Sequence, residues 1–537
     1  MSKERPERKR DRTVTTTRRV GSREFERRRR ASRTRDTRKR GSRARPRMPR
    51  RIPLRDLLRR VPIAAWICVA VAILNAICWS IIVPAFEVPD EPNHFAYVKQ
   101  IAETGTLPTS AAEAYETNAE MIKVLDRLHY PYVRQQPGHR TISTAHGQER
   151  LEQGLAQLRA EPGAKGSFAA GVAASQPPLY YALEAVPYNL AGNALTRLQL
   201  MRLLSALMAG LTTLFVFLFL RETLPVTPWA WSVGGLATAV MPLLGFVSGA
   251  VNPDAMLFAV SAALFYVLAR AFRRGLTRRV AVAFGIVVAI GMLTKLNFAG
   301  LLPGACIGVF LLTMRARRSL GRSAWRSLGI ALGIPAVLLL LYAIVNVASN
   351  HSPFGLISRA FNGEGISLPE LSYVWQLFLP RLPGMVNDFP GIFTPRTLWF
   401  NGYVGLYGWL DTAFPGWVYE FALIPLAAVV ALFLRDAVRI REALLSRRAE
   451  LVTYAAMAAG LMVMIGYASY AEFPAVDATF AESRYLLPLV PLFATGVAMA
   501  ARGAGRRWGP AIGTVIVFLF LAHDVFSQLL VLTRYYA

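Results

Sequence analysis

Apolar and polar positions along this chain separate into long uninterrupted greasy runs divided by short charged loops. Eleven runs, at about 61–84, 198–220, 229–251, 254–270, 280–295, 297–314, 327–349, 417–434, 450–470, 485–501 and 509–531, have the length a helix needs to cross a bilayer. The pattern therefore predicts an all-α, polytopic transmembrane helical bundle of about eleven spans. A twelfth stretch, 179–190, is too short and contains Glu184 and Asn189. Residues 280–314 would extend over about 50 Å as one straight helix, against a hydrocarbon core of about 30 Å. The chain must turn there, near Lys295-Leu296-Asn297.

The connecting loops orient the bundle. "ARAFRRGLTRR", "RARRSLGRSAWR", "RDAVRIREALLSRR" and "RGAGRR" fall on one side, short and rich in arginine, which the positive-inside rule assigns to the cytoplasm. The N-terminus then lies inside and the C-terminus outside. Residues 85–197 and 350–416 become two large extracytoplasmic loops within a transmembrane domain spanning 61–531, followed by a short outer tail at 532–537. In the first loop, Phe95, Val98, Ile101 and Ala102 recur at helical spacing up to Gly105, predicting an interfacial amphipathic helix. Leu151, Leu155 and Leu158 stripe another. The polar middle of this loop, about 106–170, reads as a lid or a partly disordered stretch.

Charge changes the picture only at one end. The formal net charge is +28 over 537 residues, yet residues 1–60 hold 26 Lys or Arg against 7 Asp or Glu. That segment lacks apolar periodicity and predicts a disordered cytoplasmic tail that binds anionic membrane lipids. A single aromatic residue, Phe25, lies among its charges, too few for the stacking platform that single-stranded nucleic acid needs, so no nucleic-acid partner is expected. Cys68, Cys78 and Cys306 all lie in apolar runs, and no disulfide framework follows.

Candidate chemistry begins where the first run ends, at "EVPDEPNHF", with Asp90 and Glu91 adjacent between prolines. Asp90 can cap the helix that follows; alternatively it is a general base held at the membrane surface. Glu91 and His94 are spaced as a metal pair would be but lack a third ligand, which leaves a divalent metal open but unsupported, and neither a metal site nor another cofactor is assigned. Nothing resembles a nucleotide-binding glycine loop.

Seven ordered pieces, "PDEPNHFAYV", "QPPLYYAL", "MRLLSALMAG", "VNPDAMLF", "MLTKLNFAGLLP", "GLYGWLDTAFP" and "ESRYLLPLVP", make the chain resemble the GT-C superfamily of integral membrane glycosyltransferases. Within that clan it is most similar to a bacterial family of predicted membrane proteins of unknown function. The resemblance implies a catalytic acidic motif in the first outer loop, supplied here by Asp90 and Glu91. It implies a polyprenyl-phosphate-sugar donor, a glycan or lipid-linked acceptor of the cell envelope, and residence in a bacterial plasma membrane. A lipid-phosphate leaving group needs cations. Lys295, Arg484 and Arg202, at outer ends of spans, are the candidates; alternatively Lys295 snorkels, Arg484 pairs with Glu482, and Arg202 meets phospholipid. The matched pieces add His94, Gln176, Tyr180, Asp254, Trp409 and Asp411 as candidate substrate contacts, although many GT-C members carry His where this chain has Gln176. Asp254 also suits a helix N-cap and Asp411 a turn. Trp399, Trp409 and Trp417 suit a sugar platform or an interfacial aromatic belt. A flippase of lipid-linked saccharides or an envelope scaffold would share many of these features, but the halves show no inverted repeat.

Overall fold

The computed structural model describes residues 61–108, 119–160, 171–348, 367–386, 394–476 and 481–537. The basic tail and parts of both outer loops lie outside the described residues. The described chain is almost wholly helical, and its strands are one hairpin pairing Leu406 with Ala413 and Tyr407 with Thr412. Nine described helices are long and apolar enough to cross a membrane. A bent pair, Pro228–Ala239 and Pro242–Ser248, makes a tenth if counted as one span.

All eleven expected stretches are helical; the count falls short at two places for identifiable reasons. Pro242 has no N–H to continue the ladder and forces Met241 out of helical geometry, to φ −78° and ψ 117°, so the 229–251 stretch bends by 54°. The 280–295 stretch forms Arg278–Thr294, only 17 residues, because Lys295 is extended at φ −156° and ψ 142°. A 3-10 turn, Leu296–Leu301, leads directly into the next helix. The break is locked by small residues: Gly300 and Gly460 abut, and a side chain at Gly304 would collide with the Met457 backbone. In lipid, where burial gives helices little reason to associate, such close backbone approach is a main source of attraction. It fixes the 3-10 turn that follows Lys295 against the Arg448–Val476 helix.

In the first outer loop the helix Glu91–Thr104 ends at Gly105, whose φ of 69° only glycine adopts without strain. It packs on the helix Leu179–Asn189 through Tyr97 on Tyr181 (3.8 Å between ring centroids) and Phe95 on Tyr188 (5.7 Å). The described part of the loop's polar middle, 119–160, is largely helical. Helices Ala119–Arg127, Tyr130–Val133 and Ala145–Ala160 lie there, with Val124, Tyr130 and Leu151 buried in the core. The long final helix, Gly505–Tyr536, reaches the same loops. Arg534 bonds Asp411 at 2.7 Å and the carbonyls of Val133 and His139.

Candidate functional site

The chain leaves the first long helix in a strained conformation. Phe86 and Asp90 both have left-handed backbones, at φ 69° and 66°. Each such non-glycine residue costs roughly 1–2 kcal/mol and persists only where its surroundings enforce it. The enforcing group is Glu91. Its carboxylate accepts the N–H groups of Phe86 (3.0 Å) and Val251 (2.9 Å), and two bonds from Arg202 at 2.8 and 2.6 Å. Arg202 spends its remaining donors on the carbonyls of Ser80, Val83 and Pro84, at and just past the end of the first long helix. Both charged groups are fully used and buried. Glu91 and Arg202, expected beside Asp90 and at the donor phosphate, are placed as partners of each other, a clasp that shapes the segment between them.

Held by that clasp, Asp90 does not cap its helix, since its side chain makes no capping bond. Its Oδ2 instead lies 3.0 Å from Nη2 of Arg484. The guanidinium is only 4% exposed, and Glu482 and Asp254 also flank it, at 2.8 and 3.7 Å from Nε. Asp254 sits in the first turn of its helix without capping it. Its Oδ1 accepts from Lys295 Nζ at 2.8 Å, while its own N–H is capped by the Asn252 side chain at 2.9 Å. The Tyr485 ring stands 5.5 Å from both Lys295 and Arg484. Four parts of the chain thus deliver three carboxylates and two cations to one place. Arg484 Nη1 and Asp254 Oδ2 are buried there with no hydrogen-bond partner. Among the described residues, no three His, Cys, Asp or Glu side chains are arranged to hold a metal ion.

Two neighbours complete the wall. His94 Nδ1 and the Tyr181 hydroxyl are 3.0 Å apart. Burial first, and then Lys295 and Arg484 nearby, hold His94 well below its usual range, so the imidazole is neutral. Gln176 ties the QPP segment to the break: its Oε1 accepts from the Leu296 N–H at 3.5 Å and its carbonyl accepts from Tyr97 at 3.3 Å.

Other expected contacts belong elsewhere. Tyr180 is fully buried and bonded to Ser205, which donates in turn to Glu184, so its hydroxyl serves internal packing; Tyr181, which sequence reasoning passed over, is the tyrosine that meets His94. Asp411 anchors Arg534, and Trp409 lies under the Arg134 guanidinium at 3.6 Å while donating to the Phe86 carbonyl. Trp399 stacks on Phe378, and Trp417 is 70% exposed at a helix start, so the three tryptophans have separate surroundings. Beside the clasp is a cavity of about 460 Å³, lined by Ser80, Val83, Leu128, Ile142, Leu198 and Gln199 among others, and by none of the five charged groups.

The family model described as "Predicted membrane protein (DUF2142)" matches residues 73–493. No curated protein matches the sequence. Among solved structures, the apo crystal structure of the Archaeoglobus fulgidus oligosaccharyltransferase is similar at 11% identity, with a TM-score of 0.39. The match covers 88% of this chain and 56% of that one, so the chain spans little more than half the length of that enzyme.

Proposed function

The chain belongs to the DUF2142 family of predicted membrane proteins, and we propose that it is a glycosyltransferase that moves a sugar from a polyprenyl-phosphate donor to a cell-envelope acceptor, with inversion, at the outer face of a bacterial plasma membrane. The observation that carries this reading is the approach of Asp90 to Arg484, with Lys295 joined to the same cluster through Asp254. A transfer of this kind needs one base for the acceptor hydroxyl and cations for the departing phosphate, and no acid to protonate the leaving group.

In this reading Arg484 and Lys295 hold the donor phosphate. A phosphate competing for Arg484 loosens its hold on Asp90, so donor binding readies the base. Asp90 then takes the acceptor proton as the hydroxyl oxygen bonds to the anomeric carbon from the face opposite the phosphate. The bond from that carbon to the phosphate oxygen breaks, and its electron pair leaves with the polyprenyl phosphate, whose added charge the cations meet. Neutral His94, with Tyr181 and Gln176, lines the sugar's side. The test is lipid analysis of a deletion strain: a polyprenyl-phosphate-sugar that accumulates, and disappears on complementation, supports the reading, whereas an unchanged lipid-linked saccharide pool counts against it.

A further inference from the structure

Glu482 faces Arg484 with both oxygens, at 2.8 Å from Nε and 3.0 Å from Nη2. Asp90 holds the same guanidinium at 3.0 Å, and Asp254, 3.7 Å from it, is bound to Lys295. With all five groups ionised the cluster has one more negative charge than positive. Its members are almost entirely buried, the Glu482 side chain being 11% exposed. An incoming phosphate diester adds another negative charge to a site already in excess, and buried like charges cannot all remain ionised.

We infer that Glu482 takes up a proton when the anionic donor binds, so that the phosphate replaces it as counter-ion of Arg484; this rests on the phosphate-binding reading of Arg484 and Lys295. The geometry singles out Glu482 among the three carboxylates. Asp254 has Lys295 as a second, closer cation and is fully buried. Asp90 is the most exposed of the three and is the base of the proposed reaction. Among the described residues Glu482 has Arg484 as its one ion-pair partner, and losing that partner leaves it facing Asp90, Asp254 and the Tyr485 ring, with Lys295 the one other described cation beside it. Burial foremost, then Asp90 and Asp254, push it up to about 7 despite Arg484 and Lys295, so a small further push completes protonation near neutral pH. The proton enters from solvent with the donor and returns to solvent when polyprenyl phosphate departs.

Binding should therefore weaken as pH rises above about 7, by up to about tenfold per pH unit, and level off at lower pH where Glu482 is already protonated. The probe is methyl farnesyl phosphate, a diester whose single charge is fixed in this range. It is titrated calorimetrically into the purified full-length protein, slightly above neutral pH, in two buffers of different ionisation enthalpy. The expected result is uptake of a large fraction of one proton per diester by the wild type. Glu482→Gln should take up none and bind with an affinity independent of pH. Binding by the wild type without proton uptake, or with the same uptake as Glu482→Gln, overturns the inference and leaves the phosphate reading standing. Absence of diester binding removes both. The wild-type measurement in two buffers stands alone if Glu482→Gln fails to fold.

Discussion

Arg484 reaches Asp90 across 394 positions of sequence, its Nη2 3.0 Å from the carboxylate. The contact depends on a neighbour that points elsewhere. Glu91, one residue on, is bound by Arg202, and the left-handed backbone at Asp90 sends the two adjacent carboxylates to different partners. One carboxylate sets the shape and the other remains at the edge of the cluster, 15% exposed.

The clasp is expected to matter for folding before it matters for chemistry. Glu91→Gln leaves the Arg202 guanidinium buried without its counter-charge, a change that costs roughly 3–5 kcal/mol when a buried pair is broken. Fluorescence-detected size exclusion of detergent extracts should show far less monodisperse protein than wild type and a lower melting temperature. Wild-type yield and melting behaviour from Glu91→Gln would mean the strained exit of the first span is held by something else.

Arg484→Lys keeps a positive charge but removes the planar fork that faces Glu482 and Asp90. Lys295→Ala removes the second cation. Each is expected to lower affinity for a polyprenyl phosphate in nanodiscs by about tenfold or more, since a charge-assisted bond is worth roughly 1.5–3 kcal/mol. Unchanged affinity in both variants would take these residues out of the donor site.

A pH dependence of stability follows from Glu87, which is buried beside Asp411, Arg534, Tyr535 and Arg134. Burial first, and then the Asp411 carboxylate, push it from 4.5 up to about 8. The folded protein thus binds a proton that the unfolded chain has released between those values. Stability from this group is full below about 4.5 and falls as pH rises, by up to about 1.4 kcal/mol per pH unit, until about 8. Glu87→Gln should flatten that slope of melting temperature against pH. A variant with the wild-type slope would assign the dependence to another group.

The helices were legible because hydropathy and length are nearly sufficient for them: every expected stretch is helical. Hydropathy cannot register the bend at Met241-Pro242, where an apolar residue loses helical geometry without any change in polarity. The site was legible as a set of pieces, since Asp90, Lys295, Asp254 and Arg484 each stand at the end of an apolar run. Their division of labour was not. Assigning Glu91 to the clasp requires the φ of Asp90, and choosing Tyr181 over Tyr180 requires knowing which way a helix faces, for adjacent residues diverge by about 100° around it. The partners that decide both, Arg202 and His94, lie 111 and 87 positions away.

The most direct test is single-turnover transfer by Asp90→Asn, supplied with a polyprenyl-phosphate-sugar and an envelope acceptor fraction. Asparagine preserves the size of the side chain and a bond to Arg484 but cannot accept the proton. The expected result is donor binding within a few-fold of wild type and transfer lowered by roughly two to four orders of magnitude. Transfer at the wild-type rate by the folded variant would contradict Asp90 as the base and, with it, the central reading of this site.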